Sequence, residues 1–369
     1  MRNLYTLEKE ILIELYNFRG LTSEQIVCLF SIKDYKASYV RRRLTELVNS
    51  GYVTRERYDK LFYFLTSRGI KFIKSELHLN YTIQNNKYGE KKEYYYAFEM
   101  KFKRNISNHQ YFLNNFIIDF RKKHKDENIN IIYDKQIVFY TDFAKPDGII
   151  ETEDTIYFLE MDMNTETKNL LNKKWENYRR FYNSEMVKGN GKKIVVLFFI
   201  EPSICSSVTI QNRQFLVYQT IYSSLFDIIS NRFNIYVGTP SSCLTVVNNL
   251  IYKTYTPIIK FFEECGYKQK NYDFLNNNDL SFFCQKIDNP EKKLIVINVM
   301  DCDLFSILQY SKLISISFLI NSKIKAEYQF VYVINDSFLK IIKFLNIDVA
   351  IPVKYIRYTE LLNGNLSDI

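Results

Sequence analysis

Residues 145–182 read KPDGIIETEDTIYFLEMDMNTETKNLLNKKWENYRRFY, and the rest of the chain is organised around them. The pattern predicts a strand near Asp147, a second strand carrying Glu160 and Asp162, and a long helix from Thr165 to Tyr182. Side chains alternate along a strand, so Ile156, Phe158, Glu160 and Asp162 share one face, and Tyr157, Leu159, Met161 and Met163 the other. Both faces are apolar until the strand's end, which predicts cover on both sides. Two carboxylates closing one face repel each other and lose solvation, so they call for solvent, a cation or a basic partner. With Asp147 on the neighbouring strand, three acids would converge at one sheet edge. That is the oxygen-ligand set of an Mg²⁺ site.

Working outward, Pro146-Asp147 followed by Glu160-Met161-Asp162 resembles the PD-(D/E)XK nuclease superfamily. The resemblance implies catalytic and metal-binding roles for Asp147, Glu160 and Asp162. Those nucleases usually carry Lys where this chain has Asp162, and Asp adds negative charge there. Lys174, on a helical face with Leu170 and Tyr178, has two readings. It reaches the carboxylates in place of the missing Lys, or it neutralises an inactive cluster as an ion-pair partner. The electrostatics favour the second. His109 reads as a polar first-turn residue of its helix rather than a phosphate contact.

Upstream, three helical stripes precede a hairpin. Leu7–Phe18 buries Leu7, Ile11, Leu12 and Leu15. Thr22 caps a helix over Ser23–Phe30. A third helix, Ser38–Asn49, buries Val40, Leu44, Leu47 and Val48 and ends at Gly51. Strands Tyr52–Arg57 and Leu61–Leu65 follow, then a helix from Thr66. This is the order of a winged helix-turn-helix. Its third helix would present Ser38, Tyr39, Arg41, Arg42 and Thr45, and its wing Arg55, Arg57 and Lys60, to double-stranded DNA. Residues 1–78 hold 14 Lys+Arg against 9 Asp+Glu and so supply +5 of the chain's net charge of +9.

The predicted architecture is mixed α/β. A winged helix (1–78) and a polar linker (79–105) precede a restriction-endonuclease-like α/β core (106–240), and an α/β extension (255–369) follows. The core contains a helix with Phe112, Phe116, Ile117 and Phe120 buried, and a strand near Ile131–Tyr140. It continues with a buried strand Ile194–Phe199, a helix Arg213–Phe233 and a strand Asn234–Gly238. The extension holds strands Leu294–Met300 and Gln329–Ile334, with helices Asp303–Ile320 and Ser337–Leu345. Arg213–Phe233 and the tail are the expected homodimer surface, and a replication or regulatory protein is a further candidate partner.

In the 369-residue chain, 47% of residues are hydrophobic, ample for real cores. The apolar runs are too short to span a bilayer, so no membrane partner is expected. No signal peptide is visible, and the six cysteines form no CxxC pair, which together point to the cytoplasm. P-loop, GxGxxG and GxSxG motifs are absent, which argues against nucleotide hydrolysis and serine nucleophiles.

Taken together, the chain resembles the replication-relaxation family of plasmids and mobile elements. The resemblance rests on Leu65-Thr66-Ser67-Arg68-Gly69, His109 with Asn114, Pro146-Asp147-Gly148, Leu159-Glu160-Met161-Asp162, Thr165-Glu166, and Lys174 with Tyr178. It implies a DNA-binding protein acting in replication initiation, DNA relaxation or transcriptional control. A metal-dependent endonuclease or nickase is the alternative, and an adaptor binding a partner protein a weaker third reading.

Overall fold

The computed structural model describes residues 4–76, 83–86, 89–92, 97–125, 129–133, 143–189, 191–204, 207–230, 232–252, 256–270, 281–299, 328–334 and 353–357. These combine helix and sheet in two compact units. The first comprises 1–163 with 183–192, the second 164–182 with 193–369.

The first unit opens with helices Thr6–Asn17, Ser23–Ser31 and Ala37–Asn49, then strands Val53–Arg57 and Leu61–Leu65 and helix Ser67–Glu76. The expected apolar stripe of the first helix is buried at Leu7, Ile11, Leu12 and Leu15. Thr22 caps the second helix as expected: its Oγ1 accepts from Gln25 N at 3.3 Å, and Gln25 Oε1 accepts from Thr22 N at 3.0 Å. Such a reciprocal cap is worth about 1 kcal/mol. In the third helix Val40, Leu44 and Leu47 are buried, while Val48 is only half-buried. The two-residue strand Leu21–Thr22 pairs antiparallel with Leu61–Leu65, making a three-stranded sheet. Gly69 packs against the carbonyl of Tyr52 so closely that a β-carbon would clash with backbone.

Helix Ser107–Lys123 follows. Phe116, Ile117 and Phe120 are buried as expected; Phe112 is half-buried, and Leu113, Asn114 and Ile118 are buried as well. Strand Asn130–Ile132 pairs with Gly148–Glu151, and that strand with Thr155–Asp162, all antiparallel. Every residue of Thr155–Asp162 is buried, as its two-sided apolar pattern predicted. A short hairpin, Ile83–Asn86 with Gly89–Lys92, lies in the expected linker.

In the second unit, helix Lys168–Tyr182 packs on helix Ser207–Leu225 through Trp175, whose Nε1 donates to Thr220 Oγ1 at 2.9 Å. The buried face is Leu171, Trp175, Tyr178 and Phe181. Leu170, read from sequence as part of the apolar stripe, is 53% exposed. Within Ser207–Leu225, Val217, Tyr218, Ile221 and Leu225 are buried in the monomer. These four positions of the helix expected at the dimer surface pack inside the chain. Strands Lys193–Ile200 and Phe233–Gly238 pair in parallel.

A second sheet runs Tyr267–Lys270, Ser281–Lys286, Lys293–Val299, Tyr328–Ile334 and Val353–Arg357. Its first two pairings are antiparallel and its last two parallel. Helix Thr256–Glu264 covers it through Ile258 and Phe262. The strands expected at Leu294–Met300 and Gln329–Ile334 are present at Lys293–Val299 and Tyr328–Ile334. The helices expected at 303–320 and 337–345, and most of the strand expected at 131–140, lie outside the described residues. No helix among the described residues is long and apolar enough to cross a membrane. Cys28, Cys243, Cys265 and Cys284 are free thiols.

Candidate nucleic-acid interface

Helix Ala37–Asn49 has two faces of different chemistry. At 100° per residue, Ser38, Arg41, Arg42 and Thr45 fall on one arc, and all four are exposed. Val40, Leu44 and Leu47 fall on the other. Thr45 Oγ1 donates back to the Arg41 carbonyl at 3.0 Å. Tyr39 stands at the border. Its ring stacks on Tyr35 with centroids 6.3 Å apart, and the Arg42 guanidinium lies 5.1 Å from its centroid. The Arg43 guanidinium lies 5.0 Å from the same centroid, so Tyr39 sits between the two cations.

Arg43 does something else. It is buried, with Nη1 2.7 Å from Glu46 Oε2 and 3.9 Å from the fully buried Glu8, and its guanidinium sits 3.8 Å over the Tyr5 ring. The run Arg41-Arg42-Arg43 is therefore two outward cations and one internal tie to the first helix.

The hairpin splits in the same way. Arg55 faces Tyr63 and Arg57 faces Leu61 across the ladder, and both arginines are exposed. The opposite face carries Phe62 and Phe64, both buried. Lys60 is exposed at the turn, with Nζ 4.4 Å over the Tyr111 ring. Among the described residues, Arg41, Arg42, Arg55 and Arg57 form no ion pair, whereas Lys9, Lys33, Arg43 and Arg121 all do.

Asp147 stands just before strand Gly148–Glu151, and Glu160 and Asp162 close strand Thr155–Asp162. Gly148 pairs with Leu159, so one step on in that antiparallel register Asp147 comes opposite Glu160. Asp147 Oδ2 lies 3.2 Å from His109 Nε2 and accepts the Met161 backbone N–H at 2.7 Å. Glu160 and Asp162 are almost fully buried. Lys174 Nζ lies 2.8 Å from Glu166 Oε1 and 5.5 Å over the Phe198 ring.

A family model described as replication-relaxation matches residues 12–197, just over half the chain. The chain belongs to the replication-relaxation family. Membership supports a role in the replication or relaxation of a plasmid or mobile element. No curated protein matches the chain. The family segment runs from the first helix into strand Lys193–Ile200, and so takes in the third-helix arginines, the hairpin, the His109–Asp147 pair and the Lys174–Glu166 pair.

Among the described residues, no group of three or more His, Cys, Asp and Glu side chains is placed to hold a metal ion. Asp147 Oδ2 serves a backbone N–H and an imidazole. This carboxylate ties a helix to a strand end. Two partners escaped the sequence reading: Asp147 for His109, and Glu166 for Lys174. Both acids stood in the family motifs, but neither pairing has a local periodic signal.

Proposed function

We propose that this protein binds double-stranded DNA through a winged helix-turn-helix, in replication initiation or DNA relaxation of a plasmid or mobile element, or in its transcriptional control. The observation that carries this reading is the set of cations that form no ion pair among the described residues. Arg41 and Arg42 line the exposed face of the third helix, and Arg55 and Arg57 the exposed face of the hairpin. These are the two elements such domains bring to DNA. Arginines held off carboxylates remain available to phosphates and to the guanine edge. Ser38 and Thr45 flank them with hydroxyls, and the Tyr39 ring lies 5.1 Å from the Arg42 guanidinium. A second copy of the chain is the partner this reading implies, since one reading helix covers only a short site.

The test is fluorescence anisotropy with a labelled mixed-sequence duplex, across a salt series. Arg42→Ala/Arg57→Ala, both on exposed side chains, should remain folded and lose most of the affinity. Unchanged binding in that folded variant would refute the DNA-reading role. Light scattering with and without duplex reports the dimer.

A further inference from the structure

The stretch Lys101-Phe102-Lys103-Arg104, which the sequence assigned to a linker, is docked on the hairpin. Phe102 is 4% exposed and packs between Phe62 and Phe64, with ring centroids 5.1 and 5.0 Å away. Its carbonyl accepts from Tyr58 Oη at 2.9 Å. On either side, Lys101 Nζ lies 2.6 Å from Glu56 Oε2, and Arg104 Nη2 lies 3.9 Å from Asp59 Oδ1. Asn108 Nδ2 donates to Asp59 Oδ2 at 2.9 Å. Lys103 is exposed in an extended conformation, and Arg104 keeps 81% of its side chain in solvent.

We propose that Lys103 and Arg104 form a second phosphate-contacting strip for duplex DNA, held beside the hairpin tip on the Phe62/Phe64 side, across the hairpin from Arg55 and Arg57. The inference rests on the proposed DNA binding and extends its footprint beyond residue 78. Two arguments carry it. The first concerns Asp59. A carboxylate at the hairpin tip would repel a DNA backbone, and Arg104 with Asn108 offsets that charge where the repulsion would act. The second concerns entropy. A basic linker tail must be ordered on binding, which costs free energy for each long side chain. Here Phe102 is buried and tied by its own carbonyl, so the backbone at its neighbours is already fixed. Lys101 is held by Glu56 at 2.6 Å, whereas Arg104 stands 3.9 Å from Asp59 with most of its side chain in solvent, so Lys103 and Arg104 are the cations best placed for phosphate.

The experiment is the same anisotropy titration with the full chain. Lys103→Gln/Arg104→Gln should weaken binding to all duplex sequences alike. It should also lower the slope of log affinity against log salt by about two, one per lost phosphate contact. Lys188→Gln/Lys260→Gln removes equal charge from exposed sites elsewhere and should leave the slope within error. If the parent binds but the strip variant matches it in affinity and slope, the strip is refuted and the DNA-reading role stands. Equal losses in the strip and control variants also refute it, because net charge alone would then be responsible. A parent that binds no duplex overturns both readings.

Discussion

The Asp147 carboxylate joins two elements: it lies 3.2 Å from His109 Nε2 on helix Ser107–Lys123 and accepts the Met161 N–H from strand Thr155–Asp162 at 2.7 Å. One oxygen thus satisfies a backbone donor at a strand end and meets an imidazole on the adjacent helix. Removing it leaves a partly buried N–H without an acceptor. Asp147→Ala should cost about 1–3 kcal/mol, measured by urea denaturation. Adding Mg²⁺ to the parent should leave its melting temperature unchanged, as a thermal scan with and without EDTA would show.

Neighbouring arginines should separate cleanly. Arg43→Ala leaves the buried Glu8 and its neighbour Glu46 without their guanidinium, and should destabilise the fold by about 1–3 kcal/mol. Arg42→Ala should change stability by less than about 0.5 kcal/mol, as surface substitutions usually do, while weakening DNA binding. Denaturant melts and anisotropy on both variants check the crossing; equal effects on both readouts would contradict it.

Lys174 should behave as a structural cation. Its partner Glu166 is half-buried, and the second carboxylate oxygen, Oε2, is buried without a hydrogen-bond partner. Lys174→Met would strand that carboxylate, at a cost of about 1–3 kcal/mol. Lys174→Met/Glu166→Gln should recover part of the loss. A double variant as unstable as the sum of the singles would show the two residues to be uncoupled.

Alkaline titration should expose the docked hairpin. Burial first, and then the charge of Glu56, push the Tyr58 phenol from 10.0 up to about 12. In the unfolded chain the proton leaves near 10, while the folded chain keeps it. Stability from this group is therefore complete below about pH 10 and falls as pH rises toward 12. Tyr267, raised by burial to about 12, adds to the same fall. Tyr58→Phe should flatten the pH dependence of the melting temperature in that window, relative to the parent.

Sequence periodicity located the first three helices, the hairpin and the buried strand Thr155–Asp162 because each rests on a local repeat. The Thr22 cap was legible for the same reason: Gln25 follows three residues later. Arg43 was not, since three consecutive arginines look alike until the phase of the helix is set against Tyr5 and Glu8. Leu170 misled by one position. Leu171 and Trp175 define the buried face, and Leu170 sits a hundred degrees away. His109 and Asp147 are 38 residues apart, and only tertiary structure brings them together. Helix Pro240–Tyr252 went unread between the two sheets that flank it in sequence.

Asn114, fully buried, donates to the Gly20 carbonyl at 2.9 Å, and Gln25 donates to the Tyr111 carbonyl at 3.0 Å and to Asn115 Oδ1 at 2.7 Å. With Phe102 set between Phe62 and Phe64, the amino-terminal helices and hairpin borrow part of their interior from residues far downstream. They are not a portable cassette. A graft of residues 1–78 onto a foreign protein would carry the arginines but expose Phe62 and Phe64 and orphan the Gly20 carbonyl. Such a chimera should aggregate.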